Sequence, residues 1–254
     1  MCTLVLYFRM VERYPVIVAA NRDEHYDRPS APPALWSSVP VILAGKDLMA
    51  GGTWLGVNEQ GVLVGILNRR ANSEPNPRPH TRSRGLLCLD LLKLKSPEDV
   101  STFLGRHKET YQPFTVVFVD PKEAWIAYNA RRQIETHRLK EGLHVYSSAA
   151  EISVRSEKVD RAHMQFAQVL QELGADCRDK SVWVRSLQPV LGDHKIGNGS
   201  ADPKEAICVH GEASGTVSST IIFYDEVDQQ FCTFNCPGTP CRRDFGEALV
   251  LNVR

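Results

Sequence analysis

Residues 2–8 of the chain read CTLVLYF, and residues 15–20 read PVIVAA. Both runs are short, apolar and partly β-branched, which is typical of β-strands, and a turn is expected between them. The first run is apolar throughout, so it predicts a strand that is buried on both faces. The two runs therefore predict a buried sheet at the start of the chain.

Cys2 stands at the head of the first strand, directly after Met1. Removal of Met1 by an aminopeptidase would give Cys2 a free α-amine beside its own thiol. The amine titrates at about 7.7–8.0 and a thiol at about 8.5, so the two groups form a matched base and nucleophile. An N-terminal amine is a known base for its own side chain. The alternative is an inert, buried strand cysteine, which is how free cysteines usually behave.

Composition and charge exclude several classes of protein. The chain has 254 residues, of which 43% are hydrophobic, and its 30 basic and 30 acidic residues balance to a formal net charge of zero. We therefore expect no nucleic-acid partner. No apolar stretch approaches the roughly 20 residues of a membrane span. Seven cysteines without a secretion signal predict reduced thiols and a cytoplasmic protein, whose oligomeric state the sequence leaves open.

Hydrophobic periodicity divides the rest of the chain into strands and helices. Strands are expected over residues 41–44, 114–119, 124–128, 133–139, 143–147, 217–224 and 230–234, and a hairpin over 56–67. Helices are expected over 83–94, after the cap Ser96, and over 156–173 with Val159, His163, Phe166, Val169, Leu170 and Leu173 facing inward. Residues 26–40, rich in proline and serine, are expected to form a loop.

Polar residues follow two of these strands. The block Asn21-Arg22-Asp23-Glu24 comes after the second strand, and Asn68 comes after the strand that ends near residue 67. Strand ends are places where a rigid scaffold presents chemistry, and Asn68 could donate to an oxyanion. The alternatives are a solvated loop in which Arg22 pairs with a neighbouring acid, and an asparagine that caps a turn.

Together with Met1-Cys2-Thr3, the segment AGGTWLGVN at residues 50–58 and Leu67-Asn68, this block resembles the NRDE family, also called the transport and Golgi organisation 2 family. Looser matches are SRGL at 83–86, Tyr111 with PF at 113–114, EGLH at 141–144 and SST at 218–220. That family is similar to the cysteine N-terminal nucleophile hydrolases, which include bile-salt hydrolases and penicillin V acylases. The resemblance implies an α+β fold: a four-layer αββα sandwich of two mainly antiparallel sheets covered by helices, in one domain over residues 1–254.

The resemblance also implies roles for individual residues. Cys2 would be the nucleophile, Asn68 would bind the oxyanion, and Arg22 and Asp23 would complete the catalytic set. Binding residues would be Asn21, Glu24, Gly52, Trp54, Arg69 and Ser147. Two positions depart from the pattern: Ser147 stands where the family usually has asparagine, and Ile222 stands where the hydrolases have arginine. Because a missing oxyanion donor costs on the order of a hundredfold in rate, these departures bear on hydrolysis.

Cys232, Cys236 and Cys241 are spaced more widely than the paired cysteines of structural zinc sites, and Cys208 and His210 lie upstream. We expect unligated thiols here and no metal. The Cys236-Pro237 pair has the form of a thiolate haem ligand, and the resembled family has been linked to haem trafficking. The alternative is a proline that stiffens a turn.

Three functions remain open from the sequence. The first is a cysteine hydrolase-like protein that cleaves or binds an acyl amide or thioester of a small molecule. The second is a non-catalytic carrier of haem or of a lipid-like ligand. The third is an interaction protein that retains an inactive site. No resident cofactor is expected, and haem would enter only as a transported ligand.

Overall fold

The computed structural model describes residues 2–69, 81–130, 133–148, 156–196 and 202–254. Met1, whose removal bears on Cys2, lies outside the described residues. The chain divides into two compact units. The first comprises the residues up to Asp27 together with Glu141–Val250, and the second comprises Arg28–Lys140 with Leu251–Arg254.

Thirteen strands and four helices are found in the described residues. The strands are β1 (Thr3–Phe8), β2 (Val16–His25), β3 (Ser30–Trp36), β4 (Ile42–Asp47), β5 (Leu55–Asn58), β6 (Leu63–Asn68), β7 (Phe114–Val119), β8 (Ala124–Ala130), β9 (Gln133–Leu139), β10 (Gly142–Ser147), β11 (Ser214–Asp225), β12 (Gln230–Cys236) and β13 (Leu249–Asn252). The helices are α1 (Arg84–Leu91), α2 (Pro97–Arg106), α3 (Glu157–Leu173) and α4 (Lys180–Leu191), and a short 3₁₀ turn spans Pro203–Glu205. None of these helices is long and apolar enough to cross a bilayer.

The sheet that contains β1 has the order β10-β1-β2-β11-β12-β13, and β1 pairs antiparallel with both β2 and β10. All six residues of β1 are buried, which confirms the prediction from its apolar sequence. Tyr7 lies in the core of the first unit against Phe166 of α3 and Trp183 of α4, and its hydroxyl donates to the Phe166 carbonyl at 2.7 Å. Helices α3 and α4 therefore cover the β1 sheet through one apolar cluster.

The second sheet, in the second unit, runs in chain order from β3 to β9, and each pair of neighbouring strands is antiparallel. Helices α1 and α2 cover it, with Leu87, Leu91 and Leu104 packed in the same cluster as Phe118. The predicted cap of α2 is confirmed, since Ser96 Oγ accepts from Asp99 N at 3.1 Å.

The prediction of a loop over residues 26–40 is wrong, because this segment contains the edge strand β3. Proline lacks an N–H and is therefore tolerated in a sheet only at an edge or an irregularity. Pro32 and Pro33 meet both conditions: the register with β4 shifts between Ala31 and Ala34. The two prolines therefore indicated a loop in the sequence, although the edge strand β3 can contain them.

The helix predicted over residues 156–173 is confirmed, with Ser156 as its N-cap and Gly174, at φ +79°, ending it. Its inward face is partly wrong, because His163 is exposed whereas Lys158 and Ala162 are buried. Helix α4 was not predicted, since Pro189 in its last turn reads as a helix breaker. Strand β13 was also missed.

Candidate active site

The block Asn21-Arg22-Asp23-Glu24 does not follow β2, as predicted, but forms the second half of that strand. Pairing explains why polar residues continue the strand. Asn21 and Arg22 lie opposite Ser219 and Ser218 of β11, and Asp23 lies opposite Thr216 across a register shift. Hydroxyl residues of β11 therefore lie opposite the polar block inside the sheet, and those of Thr216 and Ser219 hydrogen-bond to Asp23 and Asn21.

Cys2 lies at the open end of β1, between β2 and β10. Its backbone N–H donates to Ser148 Oγ at 3.0 Å, and Ser148 N–H donates to the Cys2 carbonyl at 3.0 Å. The Cys2 thiol lies 3.8 Å from the carbonyl oxygen of Asp23. Two hydrogen bonds to Ser148 therefore fix the N–H and the carbonyl of Cys2. Ser147, the predicted binding residue, ends β10 opposite Thr3, and the hydroxyl that contacts Cys2 belongs to the next residue.

Asp23 is a buried carboxyl group beside the thiol. Thr216 Oγ1 donates to Asp23 Oδ1 at 2.6 Å, and this hydroxyl in turn accepts from Val209 N–H at 2.9 Å. Burial raises the pKa of Asp23, while the charge of Lys158 and the Thr216 hydrogen bond act to lower it. The carboxylate is thus held in one orientation by the strand opposite, at an electrostatic cost that the nearby cation reduces.

Lys158 is the residue of this region that sequence reasoning missed. It is fully buried in the first turn of α3, and its Nζ donates to the Lys204 carbonyl at 3.2 Å. Burial lowers its pKa, and the negative charge of Asp23 opposes that shift. The sequence did carry a signal, because a lysine four residues before Ala162 and eight before Phe166 falls on the apolar face of the helix.

The acidity of the Cys2 thiol reflects these neighbours. Burial raises its pKa above the ordinary value and Asp23 adds to the rise, whereas Arg22 lowers it. Arg22 is itself buried and lies 3.9 Å from the Glu24 carboxylate. At neutral pH the thiol is therefore protonated, and its reactivity depends on a base that removes the proton during attack.

Asn21 has a structural position. Its Nδ2 donates to the carbonyls of Leu191 at 2.8 Å and Ile207 at 3.0 Å, and its Oδ1 accepts from Ser219 Oγ. The side chain therefore joins β2 to the end of α4 and to the segment before β11, where the sequence predicted a ligand contact. Ser218 differs, because its Oγ is buried without a hydrogen-bond partner in the described part of the chain. Ser218 belongs to the SST match at residues 218–220, for which the sequence predicted no site role.

Four further predicted site residues, Gly52, Trp54, Asn68 and Arg69, belong to the second unit. Gly52 abuts the Gly85 backbone so closely that a Cβ would lie 2.2 Å from the Gly85 carbonyl carbon. Trp54 packs over Gly45. Asn68 is exposed at the end of β6, opposite Phe114. Arg69 contacts the Asn129 carbonyl and lies 5.6 Å from the Tyr128 ring centre. Gly52 and Trp54 thus make close packing contacts and Asn68 is exposed, and the predicted binding roles of these residues stay predictions.

Cys236 ends β12 and is completely buried. Its thiol donates to the carbonyl of Arg243 at 3.3 Å, with the Gly238 carbonyl at 3.7 Å, and burial raises its pKa to about 11. Its predicted role as a haem ligand stays a prediction.

Comparisons with known proteins identify the family. A family model described as Transport and Golgi organisation 2 matches residues 1–234. The mouse Transport and Golgi organization 2 homolog is 28% identical over 238 residues, covering 84% of this chain and 83% of that protein. The human homolog is 27% identical over 236 residues, with the same coverage of 84% and 83%.

Two groups of solved structures share the fold. Penicillin V acylase from Agrobacterium tumefaciens has a TM-score of 0.61 at 12% identity, covering 91% of this chain and 82% of the acylase. A mutant of the conjugated bile acid hydrolase from Clostridium perfringens has a TM-score of 0.58 at 9% identity, covering 99% and 92%. At such low identity the likeness concerns the fold alone, and it confirms the predicted α+β, N-terminal nucleophile hydrolase-like fold.

Proposed function

This chain belongs to the Transport and Golgi organisation 2 family, and we propose that it is a cysteine hydrolase-like protein in which Cys2 attacks the carbonyl of an acyl amide or thioester. The observation that carries the proposal is the setting of Cys2. Its nitrogen contacts Ser148 Oγ at 3.0 Å, its thiol adjoins Asp23, and the buried cations Arg22 and Lys158 act on the same groups. The fold shared with an acylase and a conjugated bile acid hydrolase supports the same class of reaction.

The first half of the reaction forms a thioester. With Met1 removed, the α-amine of Cys2 accepts the thiol proton while the sulfur bonds to the carbonyl carbon, and the carbonyl π electrons move to oxygen. The oxyanion then re-forms the carbonyl, the bond to the leaving amine or thiol breaks, and the amine of Cys2 returns the proton to that leaving group. Because burial raises the pKa of the thiol, proton transfer must accompany attack.

The second half releases the acyl group. Water attacks the thioester carbonyl, the α-amine accepts a proton from that water, and the breaking C–S bond leaves sulfur to take the proton back. Ser148 Oγ orients the amine in both halves, since it already contacts the Cys2 nitrogen. Asp23, fixed by Thr216, sets the negative field beside the amine and so favours its protonated form.

The test is covalent trapping of the acyl-enzyme. Purified protein is first weighed intact to identify the fraction that begins at Cys2, and is then quenched in acid after exposure to a panel of acyl thioesters and N-acyl amines. We expect an acyl adduct on the N-terminal peptide of that fraction, absent from Cys2→Ala and retained in Cys177→Ala, which changes a half-buried cysteine on another segment. Saturable haem binding together with no adduct from any member of the panel would instead support the carrier.

Asn68 provides a second, kinetic prediction. We expect Asn68→Ala to slow adduct formation on Cys2 about a hundredfold, the usual effect of removing one oxyanion donor. Rapid-quench mass spectrometry measures the rate, and Asn252→Ala, an exposed asparagine in β13, is the control. Equal rates for the two variants would remove Asn68 from the mechanism and leave the role of Cys2 untouched.

A further inference from the structure

Four side chains from separate parts of the first unit meet beside the candidate active site. His194 follows α4, Cys208 and His210 lie just before β11, and Cys241 lies in the turn after β12. We call them the Cys/His cluster. Cys241 Sγ is 3.3 Å from His210 Nε2 and 3.8 Å from Cys208 Sγ, and Cys208 Sγ is 3.6 Å from His210 Nε2. Ligand atoms of His194, His210 and Cys241 lie within 4.8 Å of one another.

The separations among Cys208, His210 and Cys241 match three corners of a tetrahedral metal site, and His194, whose ligand atom lies within 4.8 Å of those of His210 and Cys241, is within reach as the fourth ligand. With zinc–sulfur bonds of about 2.3 Å and zinc–nitrogen bonds of about 2.0–2.1 Å, tetrahedral angles place two sulfurs about 3.8 Å apart and a sulfur and nitrogen about 3.6 Å apart. The observed distances are 3.8 Å for the sulfur pair and 3.6 and 3.3 Å for the mixed pairs. A disulfide needs sulfurs about 2.05 Å apart, so Cys208 and Cys241 are arranged for a shared ligand.

The histidines are oriented as metal ligands are. His194 Nδ1 lies 3.3 Å from the Gly192 carbonyl, which can only accept, so Nδ1 carries the proton and Nε2 keeps its lone pair. Backbone carbonyls commonly fix the tautomer of a ligating histidine in this way. The rings of His194 and His210 meet edge to face with centres 5.7 Å apart. Two imidazole nitrogens can thus face the two sulfurs.

We propose that the Cys/His cluster binds one zinc(II) ion in a closed, four-ligand structural site. Two thiolates and two imidazoles in tetrahedral array are a donor set typical of zinc, whereas hard cations prefer oxygen ligands. On binding, each cysteine thiol releases its proton to solvent and forms a metal–sulfur bond, so no oxidant is needed. The proposal does not depend on the reaction at Cys2.

The zinc site also explains how the candidate active site is held. Val209, between two ligands, pairs with Thr216 through two hydrogen bonds of 2.9 Å, and Thr216 Oγ1 holds Asp23. His210 forms an isolated β-bridge with Gly215. A metal that joins residues 208–210 to the turns at 194 and 241 therefore fixes the segment that positions Asp23.

Metal content and cobalt(II) substitution test the proposal on the full chain. The protein is purified without chelator under reducing conditions for zinc analysis, then stripped and titrated with cobalt(II), whose d–d and sulfur-to-metal bands report tetrahedral thiolate coordination. We expect one metal ion per chain. We expect Cys241→Ser and His194→Gln to weaken cobalt binding at least about a hundredfold, since even outer-shell changes cost ten- to a hundredfold.

Matched controls keep the result interpretable. Cys177→Ser changes a half-buried cysteine on another segment and His163→Gln an exposed histidine of α3, and both should bind cobalt as the wild type does. Both ligand substitutions are at exposed residues, and circular dichroism verifies their folding. Absence of a stoichiometric metal, or equal binding by ligand and control variants, would overturn the zinc site.

Discussion

A Lys158→Met protein is expected to unfold with a free energy about 3 kcal/mol lower than the wild type at neutral pH. Methionine keeps the length and apolar contacts of the buried side chain but removes the cation that lowers the pKa of Asp23. Removing one member of a buried charge pair leaves the other uncompensated, which typically costs 3–5 kcal/mol. The Lys204 carbonyl also loses its donor. Denaturant unfolding followed by tryptophan fluorescence measures the change.

A double-mutant cycle isolates the coupling between the two charges. Asp23→Asn removes the carboxylate charge while its amide oxygen still accepts from Thr216. The double variant should therefore lose less stability than the sum of the two single variants. Lys95→Met, at an exposed lysine, should change the free energy of unfolding by no more than about 0.5 kcal/mol. If Lys158→Met behaves like Lys95→Met, the buried lysine does not compensate Asp23.

The pH dependence of the same variant has a defined sign. Because burial raises the pKa of Asp23 above its unfolded value, the folded state holds that proton more tightly, and stability falls as pH rises through the folded pKa. Without Lys158 the pKa of Asp23 rises further, so the pH range over which stability falls extends to higher pH. The loss of stability in Lys158→Met should therefore be smaller at about pH 5 than at about pH 8.

The strands whose apolar residues are bounded by turn residues could be predicted from the sequence. Strands β7 and β9 were predicted with the bounds that the structure has, and the burial of β1 followed from its unbroken apolar run. Strand β3 and helix α4 could not be predicted by the same rules, because proline is a local signal for irregular chain. Pro32 and Pro33 are tolerated because they lie in an edge strand, and Pro189 because it lies in the last turn of α4. Neither position can be recognised before the tertiary structure is known.

The candidate residues that the sequence could single out, Cys2 and the block from Asn21 to Glu24, lie in two strands near the start of the chain, and the structure places Cys2 beside Asp23, while their catalytic roles stay predictions. Contacts between segments that are distant in sequence could not be predicted. Lys158 lies on a helix far along the chain, and the residues of the Cys/His cluster lie on three separate segments. The spacing of Cys208 and Cys241 in the sequence does not indicate a metal site, although their sulfurs lie 3.8 Å apart.

Lys158 also alters the meaning of Ile222. The hydrolases resembled by the sequence keep an arginine at this place, and here Ile222 is buried opposite Val18, in the apolar half of β11. The positions of β11 level with the polar block are Thr216, Ser218 and Ser219. A buried cation nevertheless acts on Asp23 and Cys2, because α3 supplies Lys158. The loss of one arginine therefore does not leave this site without positive charge.

Protein in which Met1 is retained is expected to form the acyl adduct on Cys2 about a thousandfold more slowly than protein that begins at Cys2, although the thiol is the same in both. Retention converts the α-amine into a peptide N–H, which cannot accept a proton. General base catalysis contributes about 10²–10⁴-fold, and the raised pKa of the Cys2 thiol leaves little thiolate at neutral pH to react without it. Expression with an inhibited methionine aminopeptidase gives the retained form, and intact mass verifies each preparation.

The pH profile and a small alkylating reagent separate the base from simple access to the sulfur. In the processed form, adduct formation should rise with pH and level off at the pKa of the amine, which Asp23 holds at or above its ordinary range of about 7.7–8.0. In the retained form, the rate should keep rising above that range, because only direct ionisation of a thiol with a raised pKa supplies the nucleophile. Iodoacetamide should alkylate Cys2 in both forms at strongly alkaline pH, which shows that the sulfur is accessible in each. Equal acylation rates for the two forms at neutral pH would mean that the amine is not the base, and the N-terminal nucleophile mechanism would then have to be given up for this chain.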